Sequence, residues 1–157
     1  SGDNDSLGPA IFSLWNLEQN KEVIESRLET GNWDESDIIF SDDSSLIAVA
    51  YFDRIDIYDI GGEKLRFRLD DISPTLRLND NGTVAESNIS QLAFNHDGTI
   101  LASGTIDGEI ALWDTQTGKI IANYQIENRI LDLAFNRNLR NLLVADDTGA
   151  IWYWGDG

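Results

Sequence analysis

An internal repeat constrains this chain more than any other feature. Setting Phe94 on Phe135 superposes Ile89 to Asp114 on Ile130 to Gly155, and the pairs Phe94/Phe135 and Trp113/Trp154 both stand 41 residues apart. Setting Phe40 on Phe94 brings Ile38 to Asp59 onto the same frame, one residue short between Asp53 and Tyr58. The spacing there is 54 residues, and an insertion running from Asp71 to Glu86 accounts for the excess. The opening run matches as well, with Trp15 on Trp113 and Lys21 on Lys119. A unit of this size cannot bury its own apolar faces, so copies must stack to form a core.

Within each copy the apolar runs are short, β-branched or aromatic, and bounded by turn chemistry. Examples are Ser45 to Tyr51, Glu109 to Trp113 and Ala150 to Trp154, punctuated by Asp97-Gly98, Asp107-Gly108, Thr117-Gly118 and Thr148-Gly149. Helical spacing has one candidate, Glu18 to Leu28, but it is short and follows a Trp-Asn turn, so it reads as a strand. The chain is therefore expected to be all-β, with about four short strands per repeat, which is the pattern of a β-propeller.

Composition narrows the chemistry. Acidic residues number 28 against 11 basic ones, giving a net charge of −17, which repels phosphate backbones and anionic lipid. Neither nucleic acid nor a membrane is expected as a partner, and no apolar run approaches the length of a membrane span. With no cysteine and a single histidine, His96, thiolate chemistry and most metal sites are excluded, and no cofactor or metal is expected. Methionine is absent even at position 1, so sequence upstream of Ser1 is expected.

The run Phe94 to Ile120, with Asn95-His96-Asp97-Gly98 near its start and Leu112-Trp113-Asp114 near its end, resembles a WD repeat. The resemblance is specific in this copy, weaker in the others, and spans nearly the whole chain. It implies four-stranded antiparallel blades, with strands a to d running from the axis outward, in a seven-bladed ring of which this chain is expected to form the C-terminal half, about three blades. Residues 1–30 would end one blade, 31–70 form a second, 71–88 be an inserted loop, 89–126 a third blade, and 127–157 a final blade lacking its outer strand. The best copy places a at Ile89 to Asn95, b at Thr99 to Gly104, c at Glu109 to Asp114 and d at Lys119 to Gln125. The rest of the ring is then expected from a missing N-terminal part or from another chain.

The family's Gly-His dipeptide is missing; Val84-Ala85 and Gln125-Ile126 stand in its place. Of the family's buried Trp–Ser/Thr–His–Asp chain, Trp113, Ser103 and Asp107 occupy three positions in the best copy. Tyr58, Val49 and Asp53 occupy them in the copy before, and Trp154, Val144 and Thr148 in the last. Apolar packing is therefore expected to hold most of the structure. Trp15, Trp113 and Trp154 are expected in the core, with Trp152 on the same side as Trp154.

No catalytic constellation stands out, so the chain reads as non-enzymatic. His96 reads as a turn residue, and acidic pairs such as Asp42-Asp43 and Asp146-Asp147 lack the spacing of a calcium loop. The resemblance implies protein contacts at the residue preceding strand a (Asp34, Asn88 and Arg129) and in the b–c turns (Phe52, Ile106 and Asp147). Phe52 and Ile106 are apolar where a plain turn would be polar. Trp33, in the connection between d and a, is a further candidate. The expected function is a cytoplasmic protein-interaction scaffold, whose acidic field suits a partner with a basic surface. The alternative is a sensory or regulatory propeller of a larger signalling protein.

Overall fold

The computed structural model describes residues 11–27, 37–51, 54–70, 89–137 and 141–155. They fall into two compact units, 1–34 and 35–157. The first contains the antiparallel hairpin of β1 (Ile11–Asn16) and β2 (Lys21–Arg27), so the segment with helical spacing is a strand. Trp15 is half exposed here rather than in a core: the two strands among this unit's described residues offer no face wide enough to enclose an indole.

The second unit holds three antiparallel meanders. The first sheet runs β3 (Ile38–Phe40), β4 (Leu46–Ala50), β5 (Ile55–Asp59) and β6 (Lys64–Leu69). The second runs β7 (Ile89–Phe94), β8 (Ile100–Thr105), β9 (Glu109–Asp114) and β10 (Lys119–Gln125). The third runs β11 (Ile130–Phe135), β12 (Leu142–Asp146) and β13 (Ile151–Trp154). Sequential order with tight turns is what short β-branched runs separated by Asp, Asn and Gly dictate. These are the a to d strands the repeat predicts, in the predicted order.

Each strand splits its side chains between two neighbours, and the alternation explains the stacking. On β8, Leu101 faces the first sheet while Ala102 faces the third. Ala48 and Ala50 on β4, with Ile55 and Ile57 on β5, meet Ile89, Leu92, Leu101 and Trp113 of the second sheet. Ala93, Ala102 and Ile110 in turn meet Ile130, Leu133, Leu142 and Val144 of the third. Small residues on the outgoing side of a b strand receive large ones from the next sheet, so backbones approach closely. Each such Ile or Leu contributes about 1.5–3 kcal/mol of burial. Trp113 is fully enclosed, and Trp154 packs half-buried against the second core with Trp152 stacked beside it at 6.3 Å.

Apolar packing is supplemented by a different polar lock in each sheet. In the first, fully buried Asp56 on β5 takes both ends of the Arg68 guanidinium from β6, at 2.9 and 3.1 Å, and Tyr58 donates to it at 3.4 Å. The carboxylate raises the guanidinium's pKa and so fixes its charge. In the second, Trp113 Nε1 donates to Ser103 Oγ at 2.9 Å. The turn after the innermost strand links all three sheets. Asp42 Oδ2 lies 2.7 Å from His96 Nδ1 and accepts from Arg137 Nη2 at 3.3 Å, and these contacts hold its pKa down.

Candidate protein-interaction face

The face carrying the expected contacts is built from b–c turns and the connectors leading into strand a. In the second sheet the turn spans Thr105-Ile106-Asp107-Gly108. It is closed by Gly108 N donating to Thr105 O at 3.1 Å and by Glu109 N donating to Thr105 Oγ1 at 3.1 Å. Gly108 has φ +82, and a Cβ there would lie 2.4 Å from Ile126 O and 2.7 Å from Asn128 O. The turn therefore lies directly on the connector 126–129, and only glycine permits both the conformation and the approach.

Gln125 fixes that approach. Its Nε2 donates to Asp107 O at 2.8 Å and to Ile126 O at 2.7 Å, while Ile126 N donates to Gly108 O at 2.9 Å. A glutamine at the Gly-His site thus ties the connector to the turn. It does so through the main-chain carbonyl of Asp107, and the Ser103–Trp113 bond forms separately.

The same connector carries the third sheet's turn, Asp146-Asp147-Thr148-Gly149. Asp147 N donates to Arg129 O at 3.0 Å, and Asn128 Nδ2 donates to Asp146 Oδ2 at 3.1 Å. Asp146 is buried and fully used. Its Oδ1 accepts from Thr148 N, Thr148 Oγ1 and Ala150 N at 2.9, 2.6 and 3.0 Å, and its Oδ2 also accepts from Trp152 Nε1 at 2.8 Å. These bonds, Thr148 first and Trp152 next, push its pKa far below the ordinary carboxylate range. The side chain that stiffens the turn is thus Asp146, while its neighbour Asp147 stays exposed.

Three expected contact residues therefore share one strip. Half-buried Ile106 sits on the first turn, exposed Arg129 on the connector, and exposed Asp147 on the second turn. Trp33, Asp34, Phe52 and Asn88 lie outside the described residues. Sequence reasoning missed Gln125, Asn128 and Asp146. The Asp-x-Thr order at 146–148 is a local signal for an Asx turn, whereas the reach of Gln125 and Asn128 depends on segments brought together by stacking. Among the described residues, no group of three or more His, Cys, Asp or Glu is placed to hold a metal ion.

Residues 74–154, just over half of the chain, match the family model described as Vps8 beta-propeller. The chain belongs to this family. Its relatives include WD-repeat proteins. It is 31% identical over 71 residues to the target of rapamycin complex subunit wat1 of Schizosaccharomyces pombe, covering 45% of this chain and 23% of that protein. It is 32% identical over 79 residues to the WD repeat-containing protein 91 homolog of Dictyostelium discoideum, covering 50% and 10%. The chain thus spans under a quarter of these relatives' length. Among solved structures, the RRP9 WD40 repeats superpose with a TM-score of 0.64 at 19% identity, over 80% of this chain and 37% of that one. A chain of the mitotic checkpoint complex superposes at 0.65 and 17% identity, over 94% and 43%. The three sheets of this family member are accordingly blades of a WD-repeat propeller, as the repeat predicts.

Proposed function

We propose that this protein is a non-catalytic, cytoplasmic scaffold that docks a protein partner on the face formed by segments 105–108, 126–129 and 146–149. The observation that carries this reading is the convergence of Ile106, Arg129 and Asp147 on turns held rigid from beneath by Gln125, Asn128 and Asp146. A pre-ordered strip loses little conformational freedom on binding, and one apolar side chain ringed by polar ones is the usual composition of a hot spot. The net charge of −17 favours a partner with a basic surface and speeds its encounter at low salt. Two similar proteins are named as parts of assemblies, one a subunit of a target of rapamycin complex and the other a chain of the mitotic checkpoint complex, which supports a protein partner. The rest of the ring, supplied by sequence outside this chain, belongs to the same reading.

The test is amide exchange on the chain alone and with the partner recovered by pull-down. Protection confined to 105–108, 126–129 and 146–149 is the expected result. Protection confined to the outer strands β6 and β10 would refute the assignment.

A further inference from the structure

The strands β2, β6 and β10, which hold the d position of the repeat, each carry one extra residue at the same place. Between β9 and β10, Trp113 pairs with Ile120 and Leu112 with Ala122, so nothing stands opposite Ile121. Between β5 and β6, Tyr58 pairs with Leu65 and Ile57 with Phe67, which leaves out Arg66. Between β1 and β2, Trp15 pairs with Glu22 and Leu14 with Ile24, which leaves out Val23. Trp15, Tyr58 and Trp113 are equivalent in the repeat, so the three bulges are one feature met three times.

A bulge bends its strand, increases the local twist and interrupts the row of main-chain donors and acceptors. In β10 that interruption falls on an open edge, because among the described residues β10 ends the second sheet and pairs only with β9. The sequence there needs it. Between Lys119 and Gln125 the strand has no charge and no proline, and Ile120, Ile121 and Tyr124 are 37%, 53% and 38% exposed. An uncharged, β-prone run on an open edge is a template for pairing with another strand. β6 ends the first sheet in the same way, but it exposes Lys64 and Arg66, so charge protects that edge in addition to the bulge.

We propose that the bulge at Ile121 is an edge guard, which prevents β10 from pairing edge to edge with β10 of a second copy of this chain. The guard is separable from the fold. Trp113–Ile120 and Leu112–Ala122 are already neighbouring pairs of a regular ladder once Ile121 is set aside. Removing that one residue therefore joins them without turning any side chain to the other face of the sheet. The edge straightens, its donors and acceptors fall into one row, and every pair with β9 is kept. This inference rests on strand register and edge composition, and it is independent of the partner on the turn face.

The test compares the full chain with the same chain lacking Ile121, by sedimentation and amide exchange over a range of concentrations. Several added cross-strand pairs should lower the concentration at which the deletion variant self-associates by roughly tenfold or more. Its amide exchange over residues 119–125 should slow as concentration rises, while that of wild type stays constant. Ile121→Ser, which keeps the extra residue, should behave as wild type does. Asn123→Lys, added to the deletion, puts a charge on the straightened edge and should abolish both effects. Deleting Arg66 instead should do less, because Lys64 remains on that edge. A folded deletion variant that associates no more than wild type would overturn the proposal, as would slowed exchange confined to residues outside 119–125. So would association in Ile121→Ser equal to that of the deletion, or association that survives Asn123→Lys. Loss of cooperative melting on deleting Ile121 would overturn it too, since the bulge would then hold the sheet together rather than guard its edge.

Discussion

Gln125 donates its side-chain amide to the main-chain carbonyl of Asp107 at 2.8 Å, joining the end of one blade's outer strand to that blade's b–c turn. Gln125 stands where the resembled repeat carries its Gly-His dipeptide, and it holds the turn with a neutral group and a backbone acceptor. Gln125→Ala should cost about 1 kcal/mol in denaturant unfolding. Gln125→Glu tests the chemistry more sharply, since a carboxylate would face two carbonyl oxygens. Protonation restores a donor, so the folded state raises that carboxyl's pKa, and stability is present at low pH and lost as pH rises. The Glu variant should lose at least as much as the Ala variant at pH 7 and recover toward wild type near pH 4.

Gly108 and Gly149 share φ +82, yet their surroundings differ. A Cβ at 108 would strike Ile126 O, whereas nothing lies within 4 Å of one at 149. Gly149→Ala should cost only the left-handed conformation, about 1–2 kcal/mol. Gly108→Ala must also displace the connector, and should cost roughly 3 kcal/mol or more by the same measurement. Equal losses would show that the turn and connector are not in contact.

Asp146 makes the third blade acid-sensitive. Its folded-state pKa is depressed by Thr148, Trp152, Asn128 and Ala150, so its contribution is fully present above the unfolded value of about 4 and is lost as pH falls through the folded one. Melting followed by tryptophan fluorescence should show wild type more stable than Asp146→Asn at pH 7, with the gap shrinking below about pH 4.

The Ser103–Trp113 pair separates polar from apolar contributions. Ser103→Ala removes one hydrogen bond and should cost about 1 kcal/mol. Trp113→Ala empties the space of a fully enclosed indole and should cost roughly 3–5 kcal/mol. Similar losses for the two variants, by denaturant unfolding, would mean that the hydrogen bond outweighs the packing.

What the sequence showed, and what it hid, divides by range. Strands and turns were legible because their signals are local. The Asp-Gly and Thr-Gly pairs mark the turns, and β7 to β10 lie within a residue of their expected bounds. The bond from Asp37 to Leu92 joins residues 55 apart, and no local pattern announces it. The Asp56–Arg68 pair was hidden for a different reason. Those residues face each other across a hairpin whose register shifts between Ile57 and Tyr58, so counting outward from the turn misaligns them. Trp15 follows the Trp pattern of its repeat yet stays half exposed, because enclosure depends on the number of strands around it rather than on position in the repeat.

The most direct test of the scaffold reading is partner affinity measured by calorimetry on Ile106→Ala, with Asn123→Ala on the outer strand as control. The account predicts that Ile106→Ala weakens binding by more than ~1 kcal/mol with little change in melting temperature, and that Asn123→Ala binds as wild type does. Loss of affinity in Asn123→Ala with full affinity in Ile106→Ala would place the partner on the ring's side and contradict it.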